Sequence, residues 1–528
     1  MSEMSASRLS HSWGPARIEC DADGQLTSVV HEQDPGLSYL SGGRVRGLLL
    51  NGRPLADVAP DVQFDVDELE ITTTYPGRLR VVVRHAFAAG WGMRITFANL
   101  AEATARVEGA RLDLRPGSGC VAWALVLGLT SAYAIAPASG TGPVLGGLLR
   151  LGSLDRATVD GLEVGSFDLR PDGRYVVQLH WDWYETPRAF DQERYGDAPS
   201  ALFATVGEPV QVPVNEDVAV VAPDEVRATR EGDRLELVSE DSGRFPCELR
   251  SARGTTAFAL QWVAPINDVL VAAAGQAMRG RRTTAGVVKL ADVAEALVVQ
   301  RALALNGLDA DEAGDALDLF TARLVAAPDA SPLSAAYLSR EFDRLGDRDL
   351  LAAATNTVLC QPRPAPGVGI AATQLCLGLI VSGQSVSAVL GHLSFLAAQS
   401  AHSPASDAPT VRDEASALEL VAVTDAGPGA AGGLTPAADQ RRRIAALGLH
   451  LGGGLKGHAV RPLSLAERSH LINVFQLLPD GLSSSMASLW GCSAATLARR
   501  ATPELLAQLE SKPVTDAHAW LVLALHGS

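Results

Sequence analysis

Residues 174–190 read RYVVQLHWDWYETPRAF, and whether this run is a working site or a strand decides how the first half of the chain is understood. Read at period two, Tyr175, Val177, Leu179, Trp181 and Trp183 form an apolar face, and Val176, Gln178, His180, Asp182 and Tyr184 point the other way. The run is therefore a strand with one face in a core. His180 and Asp182 stand about 7 Å apart on its polar side. Two ligands are fewer than a metal site wants, so no metal is expected there. His180, Asp182, Tyr184 and Glu185 remain candidates for binding a substrate at a cleft edge. The following ETPRAFDQERY reads as a loop pinned by its alternating charges.

Working outward, the same alternation recurs. In RLRVVVRHAF, Leu79, Val81, Val83, His85 and Phe87 share a face, and in GMRITFANL, Met93, Ile95 and Phe97 share one. Turn signals such as Asn51-Gly52, Tyr75-Pro76-Gly77 and Pro171-Asp172-Gly173 separate such runs at short intervals. From Pro116 to Leu149 no residue is charged, and CVAWALVLGLTSAYAIA nearly has the length of a membrane span. Glycine, serine, threonine and proline interrupt it, so two buried strands and a tight loop are expected, with no membrane partner.

Near residue 262 the period changes to three and four. VAEALVVQRALALNG, DADEAGDALDLFTARLVAA, LSAAYLSREFDRLGDRDLLAAATNTVL and GIAATQLCLGLIVSGQ are helical patterns. In the second, Asp309 or Asp311 can cap the first turn, and Ala313, Leu317, Phe320 and Leu324 form the apolar face. Several runs end in leucine-rich turns before Gly307, Gly383, Gly427, Gly453 and Gly527. Their uneven spacing suits helical hairpins wrapped as a toroid rather than a strict repeat. The expected fold is multidomain, β then α: an antiparallel, supersandwich-like β-sandwich over 1–262, then an α/α toroid-like domain of helical hairpins over 263–528.

Composition narrows function. Forty-four basic against 60 acidic side chains give a net charge of −16, which disfavours nucleic acid and anionic lipid as partners. Six cysteines without a C-x-x-C pair suggest buried thiols, and the opening residues carry no apolar secretory segment, so a cytoplasmic protein is expected. GGGLKGH at Gly452 lacks the order of a phosphate loop. DADEAGDALDLF fails as a calcium loop at Ala313 and Phe320. No H-E-x-x-H, G-x-S-x-G or correctly placed G-x-G-x-x-G occurs, and no cofactor is expected.

GLSYLSGGRVRGLLLNGRPLADV (36–58) and WGMRITFANLAEATARVEGARLDL (91–114) resemble the N-terminal sandwich domains of glycogen-debranching enzymes and related glycosidases. The resemblance implies a following (α/α)6 barrel whose mouth carries two carboxylates, one a general acid and the other a base, acting on α-glucosidic or related linkages. Asp413 and Glu414, which close a long loop before a helix, and Asp480, with Trp490 downstream, are the candidates for such a site. Each also reads as a cap, first-turn acid or turn residue, as does Glu467 in LSLAERSH. The helical part is short and aromatic-poor for a complete sugar-cutting barrel, which keeps open a noncatalytic binding or scaffolding protein of the same architecture. An isoprenoid-type helical toroid is a third reading, set against the absence of D-x-D-D motifs. The sequence does not fix the oligomeric state.

Overall fold

The computed structural model describes residues 9–402, apart from 89, 138–141, 159–160, 195–198, 200–201, 215–217 and 252–253, together with 411–425, 463–478, 498, 502 and 513–524. The described residues divide into two compact units, one running to Trp262 and the other starting at Val263.

The first unit is built of antiparallel strands. A seven-stranded sheet runs in the order Leu9–Trp13, Ala16–Cys20, Leu26–His31, Leu40–Arg46, Arg111–Pro116, Gly161–Val164, Leu154–Thr158. An eight-stranded sheet runs Cys120–Leu125, Ala132–Pro137, Val144–Leu151, Arg174–Tyr184, Trp91–Asn99, Leu79–Ala86, Glu68–Tyr75, Asp61–Phe64. Their apolar faces meet in one core that holds Ile18, Leu26, Leu112 and Leu114 from the first sheet and Leu79, Val81, Ile95 and Leu179 from the second. The strand 174–184 lies inside the eight-stranded sheet, and Trp181 stacks on Trp91 at 5.1 Å between ring centroids. His85, on the buried face of its strand, accepts a hydrogen bond from the Trp91 indole (3.1 Å). Burial, with His11 adding to it, lowers its pKa to about 3 and keeps the ring neutral.

The structure differs from the sequence reading in three places. The charge-free stretch holds three strands, Cys120–Leu125, Ala132–Pro137 and Val144–Leu151, not two. Strands covered on both faces carry no alternation that would separate them. The segment read as a charge-pinned loop forms a short helix, α1 (Pro187–Arg194), with proline in its first turn. The β unit also has a second core, around Val212, Leu235, Leu237, Leu249, Leu260 and Trp262, formed by a four-stranded and a three-stranded sheet after residue 202.

The second unit is helical: α2 (Ile266–Gly280), α3 (Val293–Ala304), α4 (Ala310–Ala326), α5 (Pro332–Leu345), α6 (Arg348–Leu359), α7 (Val368–Val381), α8 (Ser387–His402), α9 (Val411–Asp425), α10 (Leu465–Leu477) and α11 (Asp516–Ala524). Asp309 caps α4 by accepting from the Glu312 amide, and Ala313, Leu317, Phe320 and Leu324 are its buried face. The long run after Leu333 is two helices, broken at Gly346. Gly307 and Gly383 follow α3 and α7, whereas Gly427, Gly453 and Gly527 lie outside the described residues. α3 packs on α5, α5 on α7, α7 on α9, α9 on α10, α10 on α11, and α11 on α3. α4 touches α3 and α5, α6 touches α5 and α7, and α8 touches α7 and α9. Burial matches these contacts: α3 is covered from Val293 to Gln300 and α5 from Leu333 to Phe342, as helices surrounded by other helices must be. Among the described residues no helix is long and apolar enough to cross a membrane.

Candidate functional site

In the β unit the run 180–185 is largely taken up by packing. His180, half-buried, pairs across the sheet with Gly92 and Leu148 and has Gly90 beside its ring. Asp182 is exposed, and its carboxylate accepts from the Trp183 amide (2.8 Å). Tyr184 is buried with its ring against Phe190 at 5.2 Å, and burial, with Glu193 and Asp182 adding to it, raises its pKa. Glu185 is exposed at the strand end. A cavity of about 280 Å³ opens elsewhere in this unit beside Arg44, Arg46, Asp57 and Tyr75. There Arg46 is already engaged with the buried Asp113 (3.2 Å). Of the thiols, Cys360 is exposed, while burial raises Cys20 and Cys120 to about 12.

In the helical unit Asp413 and Glu414 fall in the first turn of α9, and their side chains lie outside the described residues, as do Asp480, Trp490 and the Gly452 turn. Glu467 forms a capping box with Ser464 at the start of α10. Among the described residues no three His, Cys, Asp or Glu side chains gather as metal ligands.

What the fold does bring together is the starting end of several helices. Asp292 caps α3, its carboxylate accepting from the Glu295 amide (3.0 Å). Asp329 precedes α5 and accepts from the Ser331 amide (3.0 Å). Asp516 opens α11. All three are exposed. Although the residue is exposed, the surrounding protein screens its carboxyl in part from water, which raises the Asp516 pKa, and the nearby charges of Asp292 and Asp329 raise it further. One turn along α11, the half-buried Trp520 lies against Gly367 at the start of α7, so closely that a side-chain carbon there would meet its ring at 2.2 Å.

Beneath this end sits a buried carboxylate. Glu419, on α9, is fully covered and accepts from the Gly367 amide (2.9 Å), the Ile370 amide (2.8 Å) and His470 Nε2 (2.6 Å). It caps α7 from a neighbouring helix and binds α10 to both. Asn473, one turn beyond His470, donates to the Trp520 carbonyl (2.7 Å), and His518 Nδ1 accepts from the Thr515 amide (2.9 Å). These contacts fix α10 and α11 where the aspartates converge. Sequence reading missed Asp292, Asp329, Asp516, Glu419 and His470 as site residues. Asp292 and Asp516 do carry a signal, an acid directly before an apolar helical run, but it marks a helix start and not a meeting point.

No family model matches the chain, and no curated protein matches it. In fold, the chain is similar to a solved structure titled as a polysaccharide lyase. The TM-score is 0.68 and the identity 11%, over 98% of this chain and all of that one. The likeness is one of fold, and that neighbour is a lyase, not a debranching enzyme.

Proposed function

We propose that this chain is a carbohydrate-active protein with a β-sandwich and an α/α toroid, taking an oligosaccharide at the end of the helical unit where α3, α5 and α11 begin. The similarity to a polysaccharide lyase and the return of the helix contacts from α11 to α3 support the architecture. The observation that carries the site is the Asp516 carboxyl, raised in pKa beside Asp292 and Asp329.

Glycosidic hydrolysis needs that contrast: one carboxyl keeps a proton for the leaving oxygen, and a second stays ionised to activate water or attack the sugar. Asp516 takes the acid role. Asp292 or Asp329 takes the second role; Asp292 uses Oδ1 to cap α3, and Asp329 uses Oδ1 to accept from the Ser331 amide. Trp520 offers a flat apolar face to a sugar ring.

The test is an assay of the full chain on α-glucans and on uronate-containing polysaccharides, following new reducing ends and the ultraviolet absorbance of an unsaturated uronate. Reducing ends alone mean hydrolysis, and both signals together mean elimination. With Asp516 as acid, the rate falls as pH rises through its raised pKa, and a second limb falls at lower pH where the partner carboxylate takes up a proton. Asp516→Asn, which carries no such proton, lowers the rate by about 10²–10⁴ and flattens the higher-pH limb. An unchanged rate and profile in Asp516→Asn would remove the role given to this residue.

A further inference from the structure

Deeper in the helical unit lie two arginines, Arg301 and Arg340, that form no ion pair among the described residues. α3 and α5 pack together, and a side-chain hydrogen bond from Gln300 to Glu341 joins them at one level. Arg301 follows Gln300 and Arg340 precedes Glu341, so the two guanidinium groups belong to the same level. Each lies nine residues past its helix cap, Asp292 or Ser331, which places both about 13 Å along the helices from the end that carries Asp516.

Arg340 is 8% exposed, and among the described residues neither its Nε nor that of Arg301 has a hydrogen-bond partner. Neighbouring arginines are engaged: Arg344 with Glu341 and Asp318, Arg281 with Glu295, and Arg323 with the carbonyls of Leu290 and Ala291. The carboxyl that Arg340 feels is Asp343, exposed at the next turn, with no hydrogen bond between them among the described residues. Burial and the like charge of Arg301 lower the Arg340 pKa to about 10, which leaves it charged at neutral pH. A buried guanidinium beside a second one, with only the exposed Asp343 to answer it among the described residues, is unfavourable as it stands, and an anion between the two relieves that penalty.

We propose that Arg301 and Arg340 form an oxyanion site. The planar forks of two guanidinium groups suit sulfate, phosphate or a carboxylate. The anion has two sources, a free oxyanion or the carboxylate of an acidic sugar, and only the second rests on the saccharide reading above.

The experiment is thermal unfolding of the full chain in sodium sulfate, sodium phosphate or sodium glucuronate, each against sodium chloride at equal ionic strength. The expected result is a higher Tm than in chloride, with the increment lost in Arg340→Gln and in Arg301→Gln. Because sulfate and phosphate stabilise proteins generally, only the part of a rise with these salts that is lost in the variants assigns a free oxyanion, and a variant-sensitive rise confined to glucuronate assigns the sugar carboxylate. Should Arg340→Gln fail to fold, Arg301→Gln, at the less buried arginine, decides. No increment with any of the three salts, or an increment unchanged in Arg301→Gln, overturns the proposal. A neutral oligosaccharide run in parallel separates the two readings. Oxyanion binding without saccharide binding leaves this site standing and removes the one at Asp516, and the reverse removes this site alone.

Discussion

Glu419 shows how one residue can hold the helical unit together without leaving a mark in the sequence. It sits in ASALELVAV, an apolar helical run where a lone glutamate reads as a solvated position. Its partners are the amides of Gly367 and Ile370 and the ring of His470, each about fifty residues away along the chain. Replacing it leaves three buried donors without an acceptor. Glu419→Ala is therefore expected to cost about 3–5 kcal/mol, read as a shift in the urea midpoint at unchanged m. A loss under about 1 kcal/mol would mean that water already serves these donors. His180 and Asp182 show the converse. Their side chains carry the polar groups of a site, yet the strand around them is readable from alternation alone, and the structure uses that strand as part of a core.

Elements were legible where their period or their caps were local. The strands 79–86 and 91–99, the cap at Asp309 and the turn at Asn51-Gly52 all follow from a few neighbouring residues. The three strands between Cys120 and Leu151 were not, because burial on both faces removes the polar half of the pattern. The register break between Leu40–Arg46 and Arg111–Pro116, at Asp113 and Leu114, was equally hidden. Gly42 enables it: its φ is 105°, and an added side-chain carbon would stand 2.2 Å from the Asp113 carbonyl oxygen. Gly52 has φ 74° and open space around it. Gly52→Ala should cost only the backbone term, about 1 kcal/mol, whereas Gly42→Ala adds a clash with main chain and should cost at least about 3 kcal/mol. Equal losses in the two variants, measured by chemical denaturation, would show that the bulge yields easily.

At the scale of the whole molecule, the order of strands first and helices second was readable from the change of period. The division of the β unit into two cores was not, since alternation says which face of a strand is buried and not which strands share a core. The convergence of Asp292, Asp329 and Asp516 was also out of reach. They are separated by most of the helical unit and meet because α11 packs against α3 and α5. Asp413 and Glu414 are legible as acids that close a loop before one helix, whereas the grouping the fold produces draws on three helix starts. The central claim is that a saccharide occupies this end, and it is tested most directly by unfolding the full chain in the presence of maltooligosaccharides and uronate-containing oligosaccharides. At a hundred times its dissociation constant a bound sugar adds about 2.7 kcal/mol of stability, and Trp520→Ala should abolish that gain. No stabilisation by any oligosaccharide, or a gain that survives intact in Trp520→Ala, would contradict it.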